Sequence, residues 1–276
     1  KKVFQMFAPS AVLHMAAQPL VLKSYEDPLD TFETNIMGTA NVLTTALASP
    51  EIKVIGVVTT DKVYRNENSG ISFQENDPLE GKDPYSASKV GTESVVSAWR
   101  NISELKTGPQ IISMRAGNVV GGGDFSANRL VPDIVRARIM GTPLRIRNFK
   151  STRPWQHVLD CLNGYYALIE YGLKTGNSSE WNFGPVVDPE FSVKKVTSLI
   201  LEEFNAVATW GIQPGNHPKE SQVLLLNSDK ARELLQWKEV LSTEQAVKWT
   251  SVWYKAFYDG ADPISLIQGQ ILEFNT

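Results

Sequence analysis

Lys53-Val-Ile-Gly-Val-Val58, followed at once by Thr59-Thr60-Asp61-Lys62, is an apolar, β-branched run that ends in hydroxyls, a carboxylate and an ammonium. Such a run suits a strand buried on both faces of a parallel sheet. Open α/β sheets hold their ligands beyond the carboxyl ends of these strands, so Thr60, Asp61 and Lys62 fall where chemistry is expected. The plainer use of the same residues is a turn capped by Asp61, with Lys62 as a solvated charge.

Outward from this strand the pattern alternates. A strand is expected over 11–16, a helix over 28–48, a strand over 53–59, a helix over 84–101 and a strand over 110–116. That order implies an α/β fold, a Rossmann-like parallel sheet. Gly121-Gly-Gly-Asp124 then marks the passage to a second, smaller α/β part. Helices are expected there over 130–140, 192–205, 228–236 and 243–258, with short strands near Leu144-Arg-Ile146 and 222–226, while a long helix falls within 153–172.

Tyr85-Ser86-Ala87-Ser88-Lys89 places a phenol and an ammonium four residues apart, on one face of a helix that Asp83 and Pro84 would start. A nearby ammonium stabilises a phenolate and lowers a pKa that is ordinarily about 10, so the phenol can serve as a base. Taken alone, the pair is as readily an ordinary surface pair.

The 276 residues carry 27 basic and 30 acidic side chains and a net charge of −3, which gives no sign of a nucleic-acid or membrane partner. The single cysteine, Cys161, rules out an internal disulfide framework and fits a reducing compartment. It sits in an apolar helical pattern as a core residue. No metal site is indicated, because His14 lacks a ligand partner at useful spacing.

The chain resembles the extended short-chain dehydrogenase/reductases, and among them the nucleotide-sugar 4,6-dehydratases. The resemblance rests on His14-Met-Ala-Ala-Gln18, Ser24-Tyr-Glu-Asp-Pro28, Glu33-Thr-Asn-Ile-Met-Gly-Thr39, Thr60-Asp-Lys62 and Tyr85 to Lys89. It continues in Arg115-Ala-Gly-Asn-Val-Val-Gly-Gly-Gly-Asp124, Arg153-Pro-Trp-Gln-His-Val158 and Trp181-Asn-Phe-Gly-Pro185. Lys62, where the dTDP-glucose branch has glutamate, resembles the CDP-glucose branch; epimerases lack such a pair after the threonine. His217-Pro-Lys219-Glu220 departs from that branch, which usually has a second histidine at the place of Lys219. The family opens with a glycine-rich turn that holds the cofactor pyrophosphate. No GxxGxxG occurs here, so the chain reads as starting roughly 60 residues, two β-α units, into that fold.

The resemblance implies a recycled NAD and a cytoplasmic enzyme of deoxysugar and O-antigen biosynthesis that acts on CDP-glucose or a related nucleotide sugar. It implies a homodimer or dimer of dimers, through helices 28–48 and 84–101. It implies catalysis by Thr60, Asp61, Lys62, Tyr85 and Lys89, with Lys62 as base or as electrostatic support. NAD would meet Ala16, Ala17, Gln18, Thr34, Tyr85 and Lys89, and the nucleotide sugar Asn118, Arg129, Arg153 and Asn182. The NAD-binding domain would span 1–118 with 152–183 returning to it, and the nucleotide-sugar domain 119–151 and 184–276. Dehydration or epimerisation of another nucleotide sugar, and a catalytically inactive nucleotide-sugar-binding fragment, are the alternatives.

Overall fold

The computed structural model describes residues 1–186, 191–206, 210–212 and 221–276. His217, Lys219 and Glu220 lie outside the described residues. In chain order the elements begin with α1 (Lys2–Phe7), β1 (Ala11–His14), α2 (Val21–Glu26), α3 (Pro28–Phe32), a π-helical turn (Glu33–Met37) and α4 (Gly38–Leu47). They continue with β2 (Val54–Val58), a 3-10 turn (Asp61–Val63), β3 (Ser72–Phe73), α5 (Pro84–Leu105), β4 (Gln110–Ala116), β5 (Asn118–Val120), α6 (Leu130–Met140) and β6 (Leu144–Ile146). The remainder comprises β7 (Trp155–His157), α7 (Val158–Thr175), β8 (Glu180–Phe183), α8 (Val193–Glu203), β9 (Trp210–Ile212), β10 (Leu225–Leu226), α9 (Asp229–Leu234), α10 (Thr243–Tyr258) and α11 (Pro263–Phe274).

The main sheet has the order β1-β2-β4-β8 and every pairing in it is parallel. Its central strands are buried on both faces, as the apolar run from Val54 requires. Ile55, Val57 and Ile111 pack with Leu43 of α4 and Val96 of α5 on one face. Val54, Ile112 and Met114 pack with Cys161, Tyr165 and Leu168 of α7 on the other. Each such large aliphatic side chain contributes about 1.5–3 kcal/mol by leaving water. Gly56 lets this second face close, since a Cβ there would stand 2.5 Å from Met114 Cε. A second core, built from Val131 and Ile134 of α6, Val196 and Ile200 of α8 and Val247 and Trp253 of α10, forms the smaller part.

Several elements differ from the sequence expectation. The helix expected over 28–48 contains the π turn, which carries Asn35 against the chain after β1: its Oδ1 accepts from Gln18 N at 2.8 Å and its Nδ2 donates to Gln18 O at 3.1 Å. The strand near 222–226 shortens to Leu225–Leu226, paired with Ser72–Phe73. β8 and α11 were not foreseen. β8 is four residues long with Asn182 inside it, too short and too polar for an alternation to show. No helix among the described residues is long and apolar enough to cross a membrane.

Candidate active site

The turn after β2 and the start of α5 meet at one end of the sheet. Thr60 caps the 3-10 turn, its hydroxyl accepting from Lys62 N at 3.4 Å and donating to Asp61 Oδ1 at 3.1 Å. Asp83 caps α5 through Ser86 N at 2.9 Å in a reciprocal capping box, with Pro84 in the first helical turn. This fixes where Tyr85 enters the site. Its phenol lies within hydrogen-bonding reach of the Thr60 hydroxyl. Lys89, one turn on, donates from Nζ to Val58 O at 3.1 Å.

Electrostatics separate these groups. Asp61 is 1 % exposed, and burial raises its carboxyl above the usual range despite the Lys62 and Arg153 cations and the Thr60 hydroxyl. Its Oδ2 is buried without a partner, and Lys62 Nζ stands 3.9 Å from its Oδ1. Burial pushes the Tyr85 phenol up to about 12, and pulls the Lys89 ammonium down to about 8 against the Glu93 charge. The expectation that Lys89 makes this phenol acidic is therefore corrected: desolvation prevails, and the ammonium is bonded to backbone.

Thr60, Asp61, Lys62 and Tyr85 open into a cavity of about 530 Å³, which Asn118, Arg129 and Arg153 also line. Arg129 pairs with Asp124 at 3.5 Å, and Arg153 donates to the backbone oxygens of Thr152, Gln222 and Ser221. Asn118 Oδ1 is buried without a partner. Six expected residues do not line this cavity, Lys89 and Asn182 among them. Ala16 is exposed and Ala17 half-buried after β1, and Thr34 is exposed. Gln18 spends its side chain on Leu20 and Thr31. Asn182, expected at the nucleotide, is instead sealed inside: its Oδ1 accepts from Tyr64 Oη at 2.6 Å and its Nδ2 donates to Phe73 O and Asn227 O.

Sequence reasoning missed Arg145, Arg147 and Trp155, which line the same cavity. Leu144-Arg-Ile-Arg147 carried a signal, since its alternation buries Leu144 and Ile146 and turns Arg145 outward. Four arginines thus face the space beyond the acid, Arg129, Arg145, Arg147 and Arg153. Guanidinium groups suit phosphate oxygens because they can donate two parallel hydrogen bonds. The volume lies in the range of small-molecule sites.

A parallel sheet with a buried acid, a lysine and a helix-borne tyrosine at its end, opening on an arginine-lined cavity, defines an enzyme of the dehydrogenase/reductase class. Residues 1–250 match the family model described as GDP-mannose 4,6 dehydratase. The CDP-glucose 4,6-dehydratase of Salmonella typhimurium is 38% identical over 97% of this chain and 77% of that protein. The chain belongs to this nucleotide-sugar 4,6-dehydratase family. Among solved structures, the dTDP-glucose 4,6-dehydratase from Streptomyces venezuelae, with NAD and TYD bound, superimposes at a TM-score of 0.80 with 24% identity, covering 94% of this chain and 77% of that one. UDP-glucose 4-epimerase from Thermotoga maritima, with UDP-glucose, gives 0.82 at 20% identity, over 93% of this chain and 81% of that one.

Proposed function

We propose that the protein dehydrates CDP-glucose to CDP-4-keto-6-deoxyglucose with an NAD recycled in each turnover, as a step of deoxysugar and O-antigen biosynthesis. The observation that carries this reading is Asp61, a buried carboxyl with raised proton affinity and an unpartnered oxygen, set beside Lys62 and Tyr85 in one cavity. The CDP-glucose specificity rests on Lys62 after that acid and on the Salmonella relative.

The residues present fit NAD. The Lys89 ammonium has three donors and its one hydrogen bond found among the described residues goes to Val58 O, and Ala16 is exposed after β1. Tyr85, Lys89, Ala16 and Ala17 would hold the nicotinamide end. NAD supplies a hydride sink at sugar C4 and a hydride source at C6.

Tyr85 acts as the phenolate, a form that burial opposes and that the positive charge of a bound nicotinamide would favour; it takes the proton of the 4-hydroxyl as C4 becomes a ketone, with Thr60 orienting that oxygen. The ketone acidifies the C5 hydrogen. Lys62 removes that proton or steadies the enolate, and Asp61, whose hold on a proton burial strengthens, hands its proton to the 6-oxygen, which leaves as water. Arg129 and Arg153 hold the diphosphate, and Asn118 meets the sugar phosphate. In this reading residues 1–118 and 152–183 form the cofactor domain, and 119–151 and 184–276 the nucleotide-sugar domain.

The enzyme works in the cytoplasm as a homodimer or dimer of dimers. Support for the assembly comes from Leu29 of α3 and Leu105 of α5, which are 82% and 89% exposed, large apolar side chains that a second copy would cover. Sedimentation of the pure protein tests it, a monomer sinking it.

Mass spectrometry of CDP-glucose incubated with the protein and NAD tests the activity, with Tyr85→Phe as control. A product lighter by one water, formed only by the wild type, supports dehydration. Turnover of dTDP-glucose but not CDP-glucose would reassign the substrate.

A further inference from the structure

Beneath the active site lies a buried network that the proposed chemistry does not use. Glu93 follows Tyr85 and Lys89 on α5 at successive intervals of four residues, so all three share one helix face. Its carboxylate is buried and saturated. Oε1 accepts from Thr59 Oγ1 at 2.5 Å, Ser113 Oγ at 2.7 Å and Arg115 Nε at 2.9 Å, and Oε2 accepts from Arg115 Nη2 at 2.9 Å. Two of its four partners are nitrogens of the Arg115 guanidinium, which forms a buried ion pair with it at 2.9 Å.

The partners are informative. Thr59 is the residue between the end of β2 and Thr60, and its own N–H is fixed to Met114 O at 2.8 Å. Arg115 reaches on with Nη1, donating to Tyr64 Oη at 3.0 Å and to Glu75 O at 2.8 Å. Tyr64 is the residue that closes the 3-10 turn carrying Asp61 and Lys62. One carboxylate therefore grips the entry to that turn directly and its exit through Arg115, and it does so from the helix that presents Tyr85.

We propose that Glu93 is the positioning residue of this site: it sets the Asp61–Lys62 turn against Tyr85, with Thr59 and Arg115 as its two arms. Glu93 touches no substrate. It acts by holding the acid and the phenol at a fixed separation, to which proton transfer is steeply sensitive. The proposal rests on the dehydratase reading for its catalytic consequence, but its structural content can be tested separately.

Two variants test it. Thr59→Val removes one arm while keeping the side-chain shape. Glu93→Gln combined with Arg115→Met removes the centre without leaving a buried cation unpaired. Hydrogen exchange read by mass spectrometry should rise at least tenfold over residues 60–64 in both variants, with residues 110–116 unchanged. The kcat should fall about tenfold in Thr59→Val and about a hundredfold in the double variant, with KM within twofold. Unchanged exchange at 60–64 in both variants would overturn the proposal, as would exchange rising equally across 110–116, which marks plain loss of stability. Exchange that rises as expected with kcat unchanged would overturn the positioning role. If the wild type dehydrates no nucleotide sugar, the functional reading fails while the exchange still decides whether Glu93 holds the turn.

Discussion

Lys89 Nζ donates to the Val58 carbonyl across 3.1 Å, tying the helix that bears Tyr85 to the last residue of the strand that leads to Asp61. That ammonium is buried, and desolvation lowers it from 10.5 to about 8. Between those values the unfolded chain keeps the proton that the folded chain has released, so stability rises with pH across the window and the gain is lost as pH falls through 8. Lys89→Met should abolish this rise, which amounts to roughly 3 kcal/mol from the size of the shift. Denaturant unfolding of both proteins from pH 7 to 10.5 measures it, and parallel curves would refute the burial argument. Turnover in the variant should drop at least a hundredfold, roughly the scale of lost acid–base support.

Asp61 makes a sharper case because its acidity and its solvation point the same way. Asp61→Asn keeps the shape and the hydrogen bond from Thr60, yet has no proton to give to the 6-oxygen. Loss of water should slow by roughly a factor of 10² to 10⁴. Stability has the opposite sense: Asp61 has a raised pKa, so the folded state loses stability as pH climbs from about 3.9 through the folded value. The asparagine variant should therefore be at least as stable as wild type at pH 7. Thermal unfolding at pH 4 and 7 checks this, and a variant that is less stable only at pH 7 would show that the carboxylate was favourably solvated after all.

Trp155 lines the cavity and keeps its Nε1–H buried and unpartnered, beside its register partner Asn118, whose Oδ1 is also buried and unpartnered. A buried donor and a buried acceptor without partners beside a cavity are groups whose hydrogen bonds a bound ligand would complete. Trp155→Phe should weaken CDP-glucose binding about tenfold, roughly one hydrogen bond, without lowering the melting temperature. Calorimetric titration reads it directly. Unaltered affinity would mean that the indole serves only to pack the cavity wall.

Much of this was legible in the chain because the signals were local. Val54 to Val58 announced a strand buried on both faces, and Asp83-Pro84 announced the start of α5, since an N-cap and a fixed φ act within a few residues. What escaped depends on distant partners. The spacing of Tyr85 and Lys89 correctly placed them on one helix face, but could not tell that burial would raise the phenol to about 12. Nor could Glu93 be seen as a hub, because its partners, Thr59 just after β2 and Ser113 and Arg115 of β4, are brought together only by the folded sheet.

Asn182 shows the same limit from the other side. Its place before Phe183 and Gly184 matched a nucleotide contact, yet β8, the last strand of the sheet, pairs with β4 so that Asn182 stands opposite Arg115 and fully buried. There its amide joins three segments, Tyr64 after the turn, Phe73 of β3 and Asn227 after β10. Asn182→Ala would leave the Tyr64 hydroxyl proton and the Asn227 carbonyl without this partner in the interior, while Phe73 O keeps Asn227 N, a cost of roughly 2–4 kcal/mol. Because Tyr64 also holds Arg115 at 3.0 Å, the loss should loosen the Asp61 turn and lower kcat. Nucleotide affinity, measured with CDP below the variant's melting transition, should stay within twofold of wild type. A large rise in the CDP dissociation constant with normal stability would restore Asn182 to the nucleotide and refute the structural role.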